Sequence, residues 1–401
     1  MKHECPVFGR CGGCTYLNLT YEEQLRRKQE QMNRLFAPLL RGTNLRVEPI
    51  VPSAESHYRC KVQMSFENRG DRTLVCGNFA PNSHRLVPVE DCVLDSELAD
   101  KIIVGVKRLS EKFRLPAYNE KIKTGVIRHV MVRVGYATGE VMVILVTGTD
   151  YFPGRQNFAK ALRREFPMIT TVVQNINGAF TSKVLSDRFR TVSGPGFIYD
   201  EMLGKRFRLS PGAFYQVNPP QAERLYAKAI ELAGLTGKEV LLDAYCGTGT
   251  IGILAADGAR QVYGVELNAD AVMDARENAR INHTKSITFV SADAGEFLKR
   301  GAMRPDVVIM DPPRSGSSRA FLDAVGKSGP EKIVYISCGP DTQVRDIRVL
   351  QQYGYVLKII SPCDLFPWTE HVETVCCLYH QKMDFISVPY EPKNADYLKN
   401  R

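Results

Sequence analysis

The 401-residue chain is 44% hydrophobic and 24% charged, which suits a globular protein of two or three domains with at least one large core. No window offers the ~20 uninterrupted apolar residues of a membrane span, and the start, Met1-Lys2-His3-Glu4-Cys5-Pro6, has no apolar leader core, so a cytoplasmic monomer with no membrane partner is expected. The net charge of +9 is confined to one half: residues 1–200 hold 29 Lys/Arg against 20 Asp/Glu, and residues 201–401 hold 24 against 24. A polyanionic partner such as nucleic acid and plain solubility account for that bias equally well.

Residues 1–14 form a short Cys/Gly-rich segment that needs a staple to fold. Eleven cysteines in a reducing compartment point to metal binding or catalysis rather than disulfides. Cys5, Cys11 and Cys14 read Cys-x5-Cys-x2-Cys, and Cys92, in Pro88-Val89-Glu90-Asp91-Cys92, is a distant fourth candidate. Such a set can wrap one small metal centre, and its spacing fits zinc and iron–sulfur alike. Over 15–45, Thr20 and Glu23 can form a capping box, and Leu25, Met32, Leu35 and Phe36 fall at helical spacing. This predicts a helix ended by Pro38 that packs on the C-terminal domain.

Residues 46–204 carry short β-rich runs, such as 126–134 and 141–146, separated by turn residues. They predict a largely antiparallel sheet that contacts the polyanion. Tyr58, Arg59, Lys61 and the stretch Lys121-Ile122-Lys123 to Arg128 are candidate contacts, with solvated faces the equal alternative. From 205 to 388 the pattern changes. Apolar runs at 239–243, 261–265, 287–290, 306–310 and 332–336 alternate with helical stretches such as 250–257, 269–281 and 318–328, which predicts an α/β, Rossmann-like, doubly wound and mostly parallel sheet. Residues 389–401 read as a polar tail.

The chemistry gathers at the predicted strand ends. Asp243-Ala244-Tyr245-Cys246-Gly247-Thr248-Gly249-Thr250 is a Gly-rich turn into a helix, where backbone can approach a ligand closely. Glu266 closes the second strand as a partner for a ribose diol, Asp293 the third as a partner for adenine, and Asp311-Pro312-Pro313 the fourth. Together they resemble the S-adenosylmethionine methyltransferase pattern more than a nicotinamide site. Strand 332–336 then delivers Ser337-Cys338-Gly339-Pro340 to the same edge. An isolated Cys is usually inert packing, but this setting makes Cys338 a candidate nucleophile. Further on, His371 and Glu373 share one face of a period-two strand and can supply a base.

Ser210-Pro211-x-x-Phe214-x-Gln216-Val217-Asn218, Asp-x-Tyr-Cys-Gly-x-Gly, Asp-Pro-Pro-Arg-x-Gly and Phe-Pro-x-Thr-x-His-x-Glu occur here in the order found in the RNA uracil-5-methyltransferase family, which the chain resembles over nearly its whole length. The resemblance implies that Gln216, Tyr245, Glu266 and Asp311 contact S-adenosylmethionine, that Phe214 lies near the target base, that Cys338 attacks carbon 6 of uracil, and that Glu373 accepts the carbon-5 proton. Gln216 is also a candidate donor to the uracil carbonyls. The family carries Asn in places where this chain has Thr250. Its 23S rRNA branch holds a 4Fe-4S cluster on the cysteine pattern, which implies that Cys5, Cys11, Cys14 and Cys92 are ligands and that 23S rRNA is the substrate.

A tRNA T-loop enzyme is the nearest alternative. Amino-methyltransferases follow the Asp-Pro-Pro motif with an aromatic residue where this chain has Arg314. A non-catalytic RNA-binding protein would have no use for Cys338 and Glu373. Members of the family often add an N-terminal RNA-binding barrel. The sequence starts at the cysteine motif, so RNA contact is expected on the cysteine segment and the β-rich block. Cys60, Cys76, Cys246, Cys363, Cys376 and Cys377 are read as packing residues, with Cys246 near the cofactor pocket.

Overall fold

A computed structural model of the chain describes residues 4–70, 73–301 and 303–381. The polar tail expected at 389–401 lies outside them. Helix α1 (Tyr21–Leu40) opens on the expected capping box: the Glu23 amide donates to the Thr20 hydroxyl (3.2 Å) and the Thr20 amide to the Glu23 carboxylate (2.8 Å). Pro38 does not end this helix but lies inside its last turn. A proline there removes one intrahelical bond, while Met32, Phe36 and Leu39 are buried against the C-terminal half, each stabilising the helix by about 1.5–3 kcal/mol.

The first half is built from β1 (Lys61–Asn68), β2 (Leu74–Phe79), β3 (Leu86–Pro88), α2 (Glu97–Lys112), β4 (Ile127–Val134), β5 (Val141–Thr147), α3 (Arg155–Glu165), β6 (Ile169–Ile176) and β7 (Phe189–Ser193). The strands form one seven-stranded sheet in the order β3-β2-β1-β4-β5-β6-β7. Every pairing is antiparallel except β5–β6, which α3 joins as a parallel crossover. This half is therefore less purely β than its runs suggest, since α2 buries Ile102, Ile103, Val106 and Leu109 on the sheet. A hairpin follows, β8 (Ile198–Met202) with β9 (Lys205–Leu209). Its Leu203-Gly204 turn takes positive φ at both residues, as the twist of a two-residue hairpin demands.

The second half runs α4 (Pro219–Ala233), β10 (Val240–Ala244), α5 (Thr250–Ala255), β11 (Gln261–Glu266), α6 (Ala269–Ile281), β12 (Ile287–Ser291), α7 (Ala294–Lys299), β13 (Val307–Met310), α8 (Arg319–Ser328), β14 (Lys332–Ser337), α9 (Pro340–Gln351), β15 (Tyr355–Cys363) and β16 (Glu373–His380). Its sheet has the order β12-β11-β10-β13-β14-β16-β15. β12 to β14 are parallel, and β16 is antiparallel to both its neighbours. This is the doubly wound, mostly parallel sheet that the alternation predicts. Strand order reverses between β10 and β13, which opens a crevice at their carboxyl ends. A single apolar core joins the halves, with Met131, Ile144 and Val146 of the first sheet in the same cluster as Phe207, Tyr215, Leu225 and Ile251. No described helix is long and apolar enough to cross a membrane.

Candidate active site

The turn after β10 makes a tight, left-handed path, with φ of 64° at Tyr245, 52° at Gly247 and 80° at Gly249. The two glycines differ in purpose. A Cβ on Gly249 would meet the Phe289 ring at 2.5 Å, so packing demands that glycine, whereas a Cβ on Gly247 would face open space. That space belongs to a small cavity of about 50 Å³ lined by Phe214, Gln216, Tyr245, Gly247, Thr250 and Asp311. Cys246 also borders it, and the six cysteines read as packing residues are all buried.

Around this cavity the motif residues converge. Glu266, at the end of β11, accepts from the Gly247 amide (3.2 Å) and the Asn268 amide (2.8 Å), which fixes its carboxylate at the mouth of the turn and leaves lone pairs for a diol. Gln216 donates to the Tyr226 hydroxyl (3.2 Å). Phe214 is 62% exposed, on a loop whose carbonyls at Ser210 and Ala213 are held by the buried Arg133 guanidinium. Asp293 is placed differently from the rest. It is exposed and caps α7 by accepting from the Glu296 amide (3.0 Å).

Cys338 leaves β14 half-buried, beside Glu373 at the first position of β16 and Asp311 at the end of β13. Burial pushes the Cys338 thiol up to about 11, with Glu373 and Asp311 adding to the shift and Arg314 opposing it. Glu373 is pushed up to about 8 by burial and by Asp311, again opposed by Arg314, and Asp311 to about 7 by burial. Asp243, wholly buried under the turn, is pushed to about 8 by burial. One of its oxygens accepts from the Gly252 amide (2.8 Å), and the other has no hydrogen-bond partner among the described residues. Three carboxyls raised by low dielectric around one cleft mark a site suited to binding a cation and moving a proton.

Some sequence expectations need correction. His371 does not share a strand face with Glu373, because β16 begins only at Glu373. His371 lies in the preceding loop, its Nδ1 3.1 Å from an Arg314 guanidinium nitrogen. Arg128 is buried, donates to the carbonyls of Asn177, Ala179 and Thr181, and pairs with Glu120, so it serves the loop around 177–181 instead of a phosphate. Tyr58 is likewise buried, its hydroxyl on the Pro367 carbonyl (3.0 Å). Tyr226, which sequence reasoning did not single out, stands on α4 next to Gln216 and feels Asp311, Glu373 and Asp243. The signal available was its place on the helix that follows the Gln216-Val217-Asn218 motif.

The cysteine segment lies at a distinct place. Cys5, Cys14 and Cys92 border the buried cluster of Leu17, Tyr58, Leu94 and Trp368, and Cys11 packs with Cys92 on the edge of the first core. The Cys14 thiol feels Cys11 and Cys5, and Cys92 feels Cys14. Burial raises both thiols to about 12. Among the described residues, no group of three or more Cys, His, Asp or Glu side chains is arranged to hold a metal ion. The expected ligands are therefore neighbours in this structure without forming a closed coordination shell.

A doubly wound sheet with its ligand cavity and acid cluster at the switch point defines a Rossmann-like methyltransferase fold. A Pyrococcus abyssi tRNA (uracil-54, C5)-methyltransferase, solved in complex with S-adenosyl-L-homocysteine, superposes with a TM-score of 0.76 at 28% identity, covering 94% of this chain and 87% of that one. RNA methyltransferases of Halalkalibacterium halodurans and Staphylococcus aureus are each 38% identical, over 93% and 92% of this chain and 82% and 83% of theirs. The tRNA (uracil-5-)-methyltransferase family profile matches residues 20–381, and the chain belongs to that family of S-adenosylmethionine-dependent RNA methyltransferases.

Proposed function

We propose that the protein forms 5-methyluridine in 23S rRNA, with Cys338 as nucleophile and Glu373 as base. The observation that carries this reading is the meeting of a strand-end thiol, a buried carboxyl and the cavity at Asp311. Carbon 5 of uracil is too weak a nucleophile to take a methyl group unaided. The Cys338 thiolate adds to carbon 6, and the displaced π electrons make carbon 5 an enolate carbon that takes the methyl group. S-adenosylmethionine, when bound, supplies that methyl from a sulfonium. Its positive charge suits a cleft of raised carboxyls, with Gln216, Tyr245 and Asp311 along the cavity, Glu266 assigned to the ribose and Asp293 to the adenine. Glu373 then removes the carbon-5 hydrogen. The C–H electron pair restores the ring double bond, and the thiolate leaves. Phe214 offers an exposed ring against the target base.

The first half supplies the RNA face in this reading. Phe180 is 83% exposed on the loop that Arg128 and the buried Asn177 hold in place, with Lys183 beside it. A fixed aromatic ring flanked by positive charge suits base stacking on an unpaired strand.

RNA containing 5-fluorouridine tests the chemistry, since fluorine cannot leave as a proton would. Incubation with the methyl donor should leave a covalent protein–RNA band on denaturing gels. Tight binding of both ligands without that band would overturn the Cys338 mechanism.

The choice of 23S rRNA rests on the resemblance of the cysteine set to the ribosomal branch, and likeness to the Pyrococcus tRNA enzyme favours the T-loop as the second reading. Mapping 5-methyluridine in both RNAs of a deletion strain decides between them. The same resemblance assigns a 4Fe-4S cluster to Cys5, Cys11, Cys14 and Cys92, supported by Cys5, Cys14 and Cys92 bordering one apolar cluster, with Cys11 at the edge of the neighbouring core. Protein purified without oxygen should be brown and carry about four irons per chain. Stoichiometric zinc without iron would refute this assignment.

A further inference from the structure

Trp368 is fully buried yet takes φ of +65°, a conformation that a bulky residue adopts only when its surroundings impose it. Those surroundings come from the N-terminal residues. The Trp368 amide donates to the Gln24 side chain of α1 (2.7 Å), and its carbonyl accepts from the amides of Thr15 (2.7 Å) and Tyr16 (3.0 Å), directly after Cys14. Its indole nitrogen donates to the Glu55 carbonyl, and its ring lies 5.7 Å from that of Tyr21. Lys28 of α1 reaches the Phe366 carbonyl (3.0 Å) and pairs with buried Asp364 (2.6 Å). The stretch between β15 and β16 is thus clamped at Asp364, Phe366 and Trp368 by α1 and the cysteine-bearing segment, with Tyr58 and Glu55 adding contacts at Pro367 and Trp368.

That stretch leads straight to the base. The Thr369 hydroxyl donates to the Phe366 carbonyl (2.8 Å) and accepts from the His371 amide (3.2 Å), and two residues later Glu373 enters β16. Sheet pairing, Cys363 with Glu373 and Ser337 with Thr374, holds Glu373 from the strand side alone. The approach from the other side is set by the clamp. Cys338 has no such dependence. It follows β14, where the Ser337 hydroxyl accepts from the Gly339 amide (3.0 Å) and Gln343 donates to the Tyr335 carbonyl (2.8 Å).

We propose that Trp368 is a positioning residue through which the N-terminal cysteine-bearing segment sets Glu373, so that this segment governs the proton-removal step and not the attack by Cys338. This rests on the roles given above to Cys338 and Glu373. It gives the cysteine segment a part in turnover besides any contact with RNA.

The test uses the full chain carrying Trp368→Phe or, separately, Gln24→Ala, which removes the acceptor of the Trp368 amide and leaves the ring intact. The substrate is a transcript that wild type methylates, labelled with tritium at carbon 5 of uridine. Tritium release should slow at least about tenfold while the covalent adduct forms at a rate within about twofold of wild type, so adduct accumulates. Its pH dependence should also shift, and S-adenosylhomocysteine should bind as to wild type, which separates misplacement of the base from damage to the fold. A parallel fall in adduct formation and tritium release, or unchanged release in both variants, overturns the proposal. Tritium release by wild type without any adduct would instead indict the assignment of Cys338.

Discussion

Replacing Cys338 with Ala is expected to lower methyl transfer by at least about 10⁴-fold, since the unassisted carbon 5 of uracil has no route to the enolate. Affinity for S-adenosylhomocysteine should stay within about twofold, because the Cys338 thiol is not among the groups that line the cavity and uniform binding is untouched. The structure supports that separation. The backbone around position 338 is fixed by Ser337 and by Gln343 of α9, not by the thiol, and the turn and carboxylate at the cofactor mouth belong to Gly247 and Glu266 on other strands. Methyl incorporation and calorimetric titration measure the two quantities. Residual methylation within about a hundredfold of wild type would show that the thiol does not form the intermediate.

Why Cys338 could be picked from eleven cysteines is a matter of local chemistry. Its neighbours are strand-end signals that a sequence displays directly: an apolar run, then Ser and Gly, then Pro opening a helix. The Gly-rich turn at 245–249 and the Asp-Pro-Pro end of β13 were legible for the same reason, and the alternation of runs revealed the parallel sheet. Helix α2 was missed, although Ile102, Ile103, Val106 and Leu109 recur at helical spacing, because the surrounding β-rich runs masked it.

What sequence reading missed depends on partners far along the chain. Arg128 looked like a phosphate contact because an arginine near lysines usually faces solvent, yet carbonyls some fifty residues away bury it. Tyr58 is buried because its hydroxyl finds Pro367. Asp243 was visible as an acidic residue, but its unpaired buried oxygen becomes apparent only when α5 is seen to cover it. His371 and Glu373 have strand spacing, but the His371 amide is taken by the Thr369 hydroxyl in the turn that follows the left-handed Trp368, and β16 begins only at Glu373.

Replacing Glu373 with Gln should stall the reaction one step later, with ordinary uridine-containing RNA retained as a covalent, already methylated complex. Attack and methyl transfer do not require a proton acceptor at carbon 5, whereas elimination does. The pH dependence follows from the raised carboxyl. Glu373 works as a base only when ionised, and burial and Asp311 place its titration at about 8 instead of the ordinary 4.5. Resolution of the wild-type adduct should therefore rise about tenfold per pH unit below that value and level off above it, while the Gln variant shows a flat, low rate. Stability moves the opposite way. A carboxyl whose folded value is raised costs nothing while protonated in both states below about pH 4.5, and its ionisation destabilises the fold progressively as pH climbs to about 8. Thermal unfolding should find the Gln variant at least as stable as wild type at pH 9 and no different at pH 4. Rapid release of methylated RNA by this variant would remove Glu373 from the mechanism, and a loss of adduct altogether would place its role before methyl transfer.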